Sequence, residues 1–491
     1  MSDPVVLRSI DDMTLANAAR VAFDRARISI ADEAAARIAG GRERFQDFMR
    51  TKGGYVYGST TAPGSRAKVI LGEEEALRQG QTLAGFVPLQ PGAGGEMLDE
   101  RCVRLAVYAR LSNAMTGSGK LCSDTVRAVA DLLDAVPPVP LQGVSCSGEV
   151  MPLAWLMAPL ANRPLAQGEA MALINGSPFA TAMACDVALT ASRRLRLMER
   201  IFALSIEAAQ CPMTHFNLRL ASGWKDPYYR QSLANLHELL HGTVTNELKH
   251  QAPTSWRVLP NVLASALRAI AEVSHYAEIA LQSLKDNPTF LQDSASSDGD
   301  VVVSSGGYHD HQAAKAIDAV NSVLADLCVL ASRQVTHLLD GGGLGLPPLL
   351  ASAGDGVGAE YLAWGMTEPL LAARRCAEGT TLDIGLQDPV GNQSDIASLA
   401  FTAYDKHRKL SRAADACFAA LAVTAIRALR FRGNAQTVTK CSLNRSLEKI
   451  VSSGSRVPEA VGDSLREVKG LLRAGADELT TVQFAQVCLA G

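Results

Sequence analysis

Spread over 491 residues, a formal net charge of −3 gives this chain no electrostatic grip on nucleic acid or on an anionic membrane surface. Its 47% hydrophobic and 20% charged residues are ordinary for a globular protein, and its ten cysteines include no C-x-x-C pair, which argues against a zinc ribbon or a thioredoxin motif. The N-terminus lacks the basic-then-apolar pattern of a secretion signal, and the apolar run at 416–426 is too short for a bilayer, so a cytoplasmic address without a membrane is expected.

Taken in chain order, residues 55–57 suggest a short strand. The stretch 53–178 is broken by Gly-, Thr- and Pro-rich loops at 58–64, 88–95, 137–140 and 145–148. Loops on a helical scaffold are where chemistry usually sits. Helical periodicity without Gly or Pro then runs through 192–210 and 261–286, the latter stopped by Asn287-Pro288. Val301 to Val303 can form a strand. Residues 312–340 carry the clearest helix, with Ile317, Val320, Leu324, Leu327 and Val329 recurring at helical spacing and three glycines at its end. Helix 361–377 is interrupted by Gly365 and Pro369, and helix 395–430 closes the series. The expected fold is mainly α: a loop-rich N-terminal region over 1–190 that carries the site, then a helical bundle over 191–491. Residues 415–428 are apolar over a wide arc, which suggests burial between subunits as well as within one.

Three motifs compete for attention. His237-Glu238-Leu239-Leu240-His241 fits the H-E-x-x-H zinc pattern, but Gly242 follows at once and tends to end the helix. Met115-Thr116-Gly117-Ser118-Gly119-Lys120 lacks the first glycine of a phosphate loop and the hydroxyl residue after its lysine. His309-Asp310-His311 has no further ligand nearby in sequence, and a hydrogen-bonding role near a site is expected of it. No metal is expected.

A fourth set of motifs is colinear over nearly the whole chain. Cys146-Ser147-Gly148-Glu149-Val150-Met151-Pro152-Leu153-Ala154 is similar to Ala-Ser-Gly-Asp-Leu-x-Pro-Leu-Ala. Glu169-Ala170-Met171-Ala172-Leu173-Ile174-Asn175-Gly176-Ser177 is similar to E-G-L-A-L-I-N-G-T. Val56-Tyr57-Gly58-Ser59-Thr60-Thr61 and Gln251-Ala252-Pro253-Thr254-Ser255-Trp256-Arg257 match V-Y-G-x-N-T and Q-D-x-Y-S-x-R in part. On these blocks the chain resembles the aromatic amino acid ammonia-lyases and aminomutases, whose fold is that of histidine ammonia-lyase.

The resemblance implies a cofactor built from the backbone. Ammonia leaves an amino acid poorly and the β-hydrogen is barely acidic, so elimination needs an electrophile that ordinary side chains lack. Attack of the Gly148 nitrogen on the Cys146 carbonyl, with loss of two waters, one of them carrying the Ser147 hydroxyl, gives a 4-methylidene-imidazol-5-one ring (MIO). Gly148 suits this because a bare Cα lets its nitrogen approach a carbonyl. By the same resemblance Tyr57 is the catalytic base, Arg257 holds the substrate carboxylate, Asn175 supports that carboxylate and the ring oxygen, and Gln251, Thr254 and Gln393 complete the substrate site. Leu89-Gln90 fall where selectivity is read. Gln90 offers a donor and an acceptor, which favours a polar ring, tyrosine-like or histidine-like. The partner is then a small aromatic amino acid. The expected assembly is a homotetramer with shared sites, the ring and Asn175 coming from one chain, and Tyr57 and the Arg257 segment from neighbours.

Departures from the pattern cluster in the same place. Thr254 stands where a tyrosine is usual, Ser394 where histidine ammonia-lyases carry Glu, and Tyr308-His309-Asp310-His311 where N-F-H-G is usual; Pro63 stiffens the Tyr57 loop. Three readings follow: an ammonia-lyase giving an arylacrylate, a 2,3-aminomutase giving a β-amino acid, and a weakened or inactive homologue kept as a scaffold.

Overall fold

A computed structural model describes residues 3–52, 54–76, 78, 95–141, 147–243, 251–292, 299–353, 358–385, 394–432 and 468–470. Cys146, Leu89, Gln90 and Gln393 lie outside the described residues. The fold is mainly α, as the periodicity suggests. Helices α1 (Leu15–Ala22), α2 (Asp32–Thr51), α3 (Glu100–Met115) and α4 (Ser123–Asp131) lead into α5 (Val150–Met157) and α6 (Glu169–Ile174). Then come α7 (Pro178–Ala209), α8 (Pro227–Leu239), α9 (Thr254–Arg257), α10 (Leu259–Leu281), α11 (His311–Asp340), α12 (Thr367–Ala377) and α13 (Ala400–Phe431). Short strand pairs punctuate them: β1 (Val5–Leu7) with β2 (Ile28–Ile30) in parallel, β3 (Thr289–Leu291) with β4 (Val301–Val303) antiparallel, and β5 (Ile384–Gly385) with β6 (Ile396–Ala397) antiparallel. Residues 55 and 56 are irregular and a turn begins at 57, in place of the expected strand.

Helices α7, α10, α11 and α13 pack on one another and make the bundle. Phe202 of α7 meets Phe418 of α13 edge-on, with ring centroids 5.1 Å apart. Arg194 pairs with Asp415 at 2.9 Å in the same interface. One hydrophobic core continues from Val5 to Leu429, so the loop-rich region and the bundle share their interior.

Helix α7 begins fourteen residues before the expected 192. Pro178 is set at its first turn, where a missing N–H costs nothing. All of its residues except Ser192, Arg196 and Arg200 are buried, so it has no polar face for a periodicity to reveal. The stretch Glu169–Ala209 passes for a membrane span by length and mean hydropathy alone (1.2 over its most apolar window), but that window is wholly buried in the fold and is a core element. One expectation is corrected here. The apolar arc at 415–428 is buried within the single chain, so it supplies no motive for assembly.

Candidate active site

Ser147 and Gly148 stand immediately before α5. The Ser394 hydroxyl, two residues ahead of β6, lies 2.9 Å from the Ser147 hydroxyl and accepts the Ser147 backbone N–H at 3.2 Å. The side chain of Tyr308 covers Gly148 so closely that a Cβ there would sit 3.3 Å from the tyrosine Cβ, at the limit of tolerated contact. A cavity of about 10 Å³ beside them, lined by Ser147, Gly148, Glu149, Tyr308 and Asp310, has room for roughly one water.

Glu149 bridges this segment to the bundle. Its two carboxyl oxygens accept the backbone N–H groups of Phe179 and Ala180 at 2.6 and 2.7 Å, satisfying orphan donors at the start of α7. Burial pushes its carboxyl up to about 8, against the opposing pull of those two N–H groups. Behind it lies a charged network that sequence reasoning missed. Lys285 Nζ donates to Asp310 at 2.5 Å, to the Tyr276 hydroxyl at 3.1 Å and to Thr181 at 3.2 Å. Tyr276 also donates to Asp310, whose carboxylate caps α11 by accepting the Ala313 N–H at 3.1 Å. Burial first, and then Asp310, raise the Tyr276 phenol well above the ordinary range. The one available signal was position: Lys285 stands at the end of the helical run that Asn287-Pro288 stops, and Asp310 lies in the departing Tyr-His-Asp-His segment.

Asn175 follows α6. Its amide donates to the Asn287 carbonyl at 2.9 Å and weakly to the Met171 sulfur at 3.4 Å, and its carbonyl oxygen accepts the Gly176 N–H at 2.8 Å. Gly176 has φ +105°, and a Cβ there would fall 2.5 Å from the Lys285 carbonyl oxygen, so this turn requires glycine. Tyr57 lies on the same side of the same chain. Gly58, at φ +67°, presses its Cα against Met171, where a Cβ would come 2.6 Å from the methionine Cγ. Gln167 holds the Ser59 carbonyl at 2.9 Å. The Tyr57 oxygen accepts the Gly64 N–H at 2.8 Å. The loop bearing Tyr57 thus rests on the helix that ends in Asn175.

Arg257 does not join this group. It closes the short helix α9, its Nε donates to the Ala252 carbonyl at 2.9 Å, and the buried Trp256 beside it anchors the turn through Ser205 at 3.0 Å. Gln251, Thr254 and Arg257 line a separate cavity of about 400 Å³ together with His337 and Asp340, a volume suited to a small molecule. The residues that line this cavity and those that line the one beside Ser147 do not overlap.

The sequence pattern of the family described as aromatic amino acid lyase matches residues 13–167 and 158–451. The chain belongs to the aromatic amino acid lyase family. A histidine ammonia-lyase of Aromatoleum aromaticum is 27% identical over 446 residues, 84% of this chain and 82% of that one. Another, of Caldanaerobacter subterraneus, is 23% identical over 455 residues, covering 86% and 87%. The solved tyrosine aminomutase of Streptomyces globisporus superposes with a TM-score of 0.82 at 21% identity over 99% of this chain and 98% of its own, which establishes the shared fold.

The competing motifs resolve within this lyase fold. His237 sits in the last turn of α8, while His241 lies beyond it in a turn before Gly242 at φ +77°. The two imidazoles therefore do not share one continuous helical face. Lys120 is buried and pairs with Asp286 at 2.6 Å while donating to the Pro288 carbonyl at 2.7 Å, a structural lysine and no phosphate ligand. His309 and His311 both bond to Asp383.

Proposed function

We propose that this lyase removes ammonia from an aromatic L-amino acid with a polar ring, tyrosine-like or histidine-like, giving an arylacrylate, with an MIO group formed from Cys146, Ser147 and Gly148. The observation that carries the reading is the hold on Ser147. The hydroxyl that must depart is hydrogen-bonded to Ser394, and the neighbouring glycine, with no Cβ, sits under Tyr308 where a larger residue would crowd. A leaving hydroxyl and an unhindered amide nitrogen in adjacent residues fit the group. When present, the group supplies an electrophile for the substrate's amino nitrogen.

The chain's own side chains would do the rest. The Tyr57 oxygen takes the β-proton; the N–H that Gly64 donates to it favours negative charge there. Arg257 offers the substrate carboxylate a two-pronged ion pair from the wall of its cavity. Asn175 can exchange its weak contact with the Met171 sulfur for a substrate oxygen without losing its bond to Asn287. Thr254 and Gln251 line the Arg257 side of the site, and Leu89, Gln90 and Gln393 are proposed for the substrate from the sequence pattern alone. The same reading makes the protein a cytoplasmic homotetramer with shared sites.

Intact-mass measurement tests the cofactor: maturation removes two waters, and a chain at its full calculated mass overturns the reading in favour of a scaffold. Product analysis then tests the reaction, since an arylacrylate supports the lyase and a β-amino acid replaces it with a mutase.

A further inference from the structure

The turn between Gly307 and α11 places two imidazoles on a single carboxylate oxygen. His309 Nε2 and His311 Nδ1 each lie 2.9 Å from Asp383 Oδ2, and the ligand atoms of all three residues fall within 4.8 Å of one another. Among the described residues this is where three side chains able to hold a metal converge. The third member could not be seen in the sequence, because Asp383 is 72 residues beyond His311. Donor atoms at about 2.1 Å from one ion, at tetrahedral or octahedral angles, stand about 3.0–3.4 Å apart, so the two observed nitrogen-to-oxygen separations need to open by only a few tenths of an ångström.

We propose that His309, His311 and Asp383 form a binding site for one divalent transition-metal ion of the zinc class. Two imidazoles and one carboxylate make a borderline donor set, which suits zinc, cobalt or nickel and disfavours calcium and magnesium, whose sites are all-oxygen. The site is half open: His311 is 51% exposed, while His309 and Asp383 are mostly covered, at 24% and 20%. Solvent can therefore complete the coordination and the ion has an entry path. Its place in the fold gives it a task. Asp383 immediately precedes β5, whose partner β6 follows Ser394, and Ser398 just beyond β6 bonds to the Asp310 carbonyl at 2.9 Å. Tyr308, next to the first ligand, covers Gly148. An ion held here staples the β5–β6 pair to the turn that covers Gly148. It acts on the position of Ser394 and Tyr308 and takes no part in the reaction. This replaces the expectation of no metal, and it does not depend on the substrate or on ring formation.

The test uses the full-length protein after chelator treatment and dialysis, titrated with zinc chloride and, separately, with cobalt chloride. The expected result is one zinc per chain by calorimetry, a rise in Tm on binding, and visible cobalt absorption of a four- or five-coordinate site. Second-shell changes alone weaken metal sites about 10–100-fold, so His311→Ala and Asp383→Ala, which remove ligands, should each weaken binding at least about 100-fold. His237→Ala should bind as the parent does. Stoichiometric binding that survives both ligand substitutions, or a parent protein that binds no zinc, overturns the proposal. Should Asp383→Ala fail to fold, the half-exposed His311→Ala decides alone.

Discussion

The hydroxyls of Ser147 and Ser394 face one another at 2.9 Å, and Ser394 also receives the Ser147 backbone N–H. Two contacts to one residue fix both the peptide plane of Ser147 and the direction of its hydroxyl. Departure of that hydroxyl as water requires a proton, and Ser394 is, among the described residues, a group in hydrogen-bond reach. Ser394→Ala should therefore leave a fraction of chains without the loss of two waters, seen by intact mass, and should lower kcat in proportion to that fraction with KM unchanged. Complete maturation with parental kcat would remove Ser394 from any positioning role. Ser147→Ala, which has no hydroxyl to lose, should keep the fold and show no turnover.

Among the described residues, Arg257 is the one strong cation on the wall of the 400 Å³ cavity. A guanidinium can grip a carboxylate through two parallel N–H groups, and an ammonium cannot. Arg257→Lys should raise KM and lower kcat/KM by at least about tenfold. Steady-state kinetics with parental kcat/KM would take Arg257 out of the substrate site.

How far the sequence reached depends on whether a residue's partner is near it in the chain. Helix α11 was legible because one face is polar, so its apolar residues recur with the helical period, and α13 through its long run without Gly or Pro, although its second half is buried nearly all round. Helix α7 was half missed because it is apolar all round, and burial on every side erases the period. At the site, Tyr57, Ser147, Gly148, Asn175 and Arg257 were found through short local motifs. Lys285 and Asp383 were not, since each acts through a partner 25 or more residues away: Lys285 through Asp310 and Thr181, Asp383 through His309 and His311. The division of the site also escaped, because no spacing reports that Gly58 rests on Met171 while Arg257 faces another cavity.

Glu149 makes a prediction about pH. Its folded-state carboxyl is raised to about 8 from an ordinary value near 4.5. The folded chain then holds a proton that the unfolded chain releases, so stability from this group is full below about 4.5 and is lost as pH rises toward 8. Thermal unfolding between pH 5 and 9 should show Tm falling more steeply in the parent than in Glu149→Gln, which cannot ionise. Parallel profiles would show that the Phe179 and Ala180 N–H groups hold Glu149 ionised throughout.

The separation of Arg257 from Tyr57, Asn175 and Ser147 leads to the last prediction. If a substrate must touch both groups, and one chain keeps them apart, then the carboxylate site of one chain has to serve the Ser147 segment of another. The exposed Trp364 and Leu382, 70% and 67% accessible, give a single chain apolar surface that an assembly could cover. Closed two-fold symmetry is the common route to such sharing, and a tetramer of this kind gives each site the same composition. The Tyr57 loop rests on α6 and the Ser147 segment binds the start of α7 through Glu149, so the pair of substitutions expected to complement is Ser147→Ala with Arg257→Ala. Each alone should be close to inactive. Co-expressed in equal amounts, random mixing should leave roughly a quarter of sites with an intact Ser147 from one chain and an intact Arg257 from another, and activity should return to that level. Ser147→Ala with Tyr57→Phe should show no such return, because both defects fall on the same side of the division. Light scattering that reports a monomer at assay concentration, or equal failure of both pairs to recover, would place the whole site within one chain.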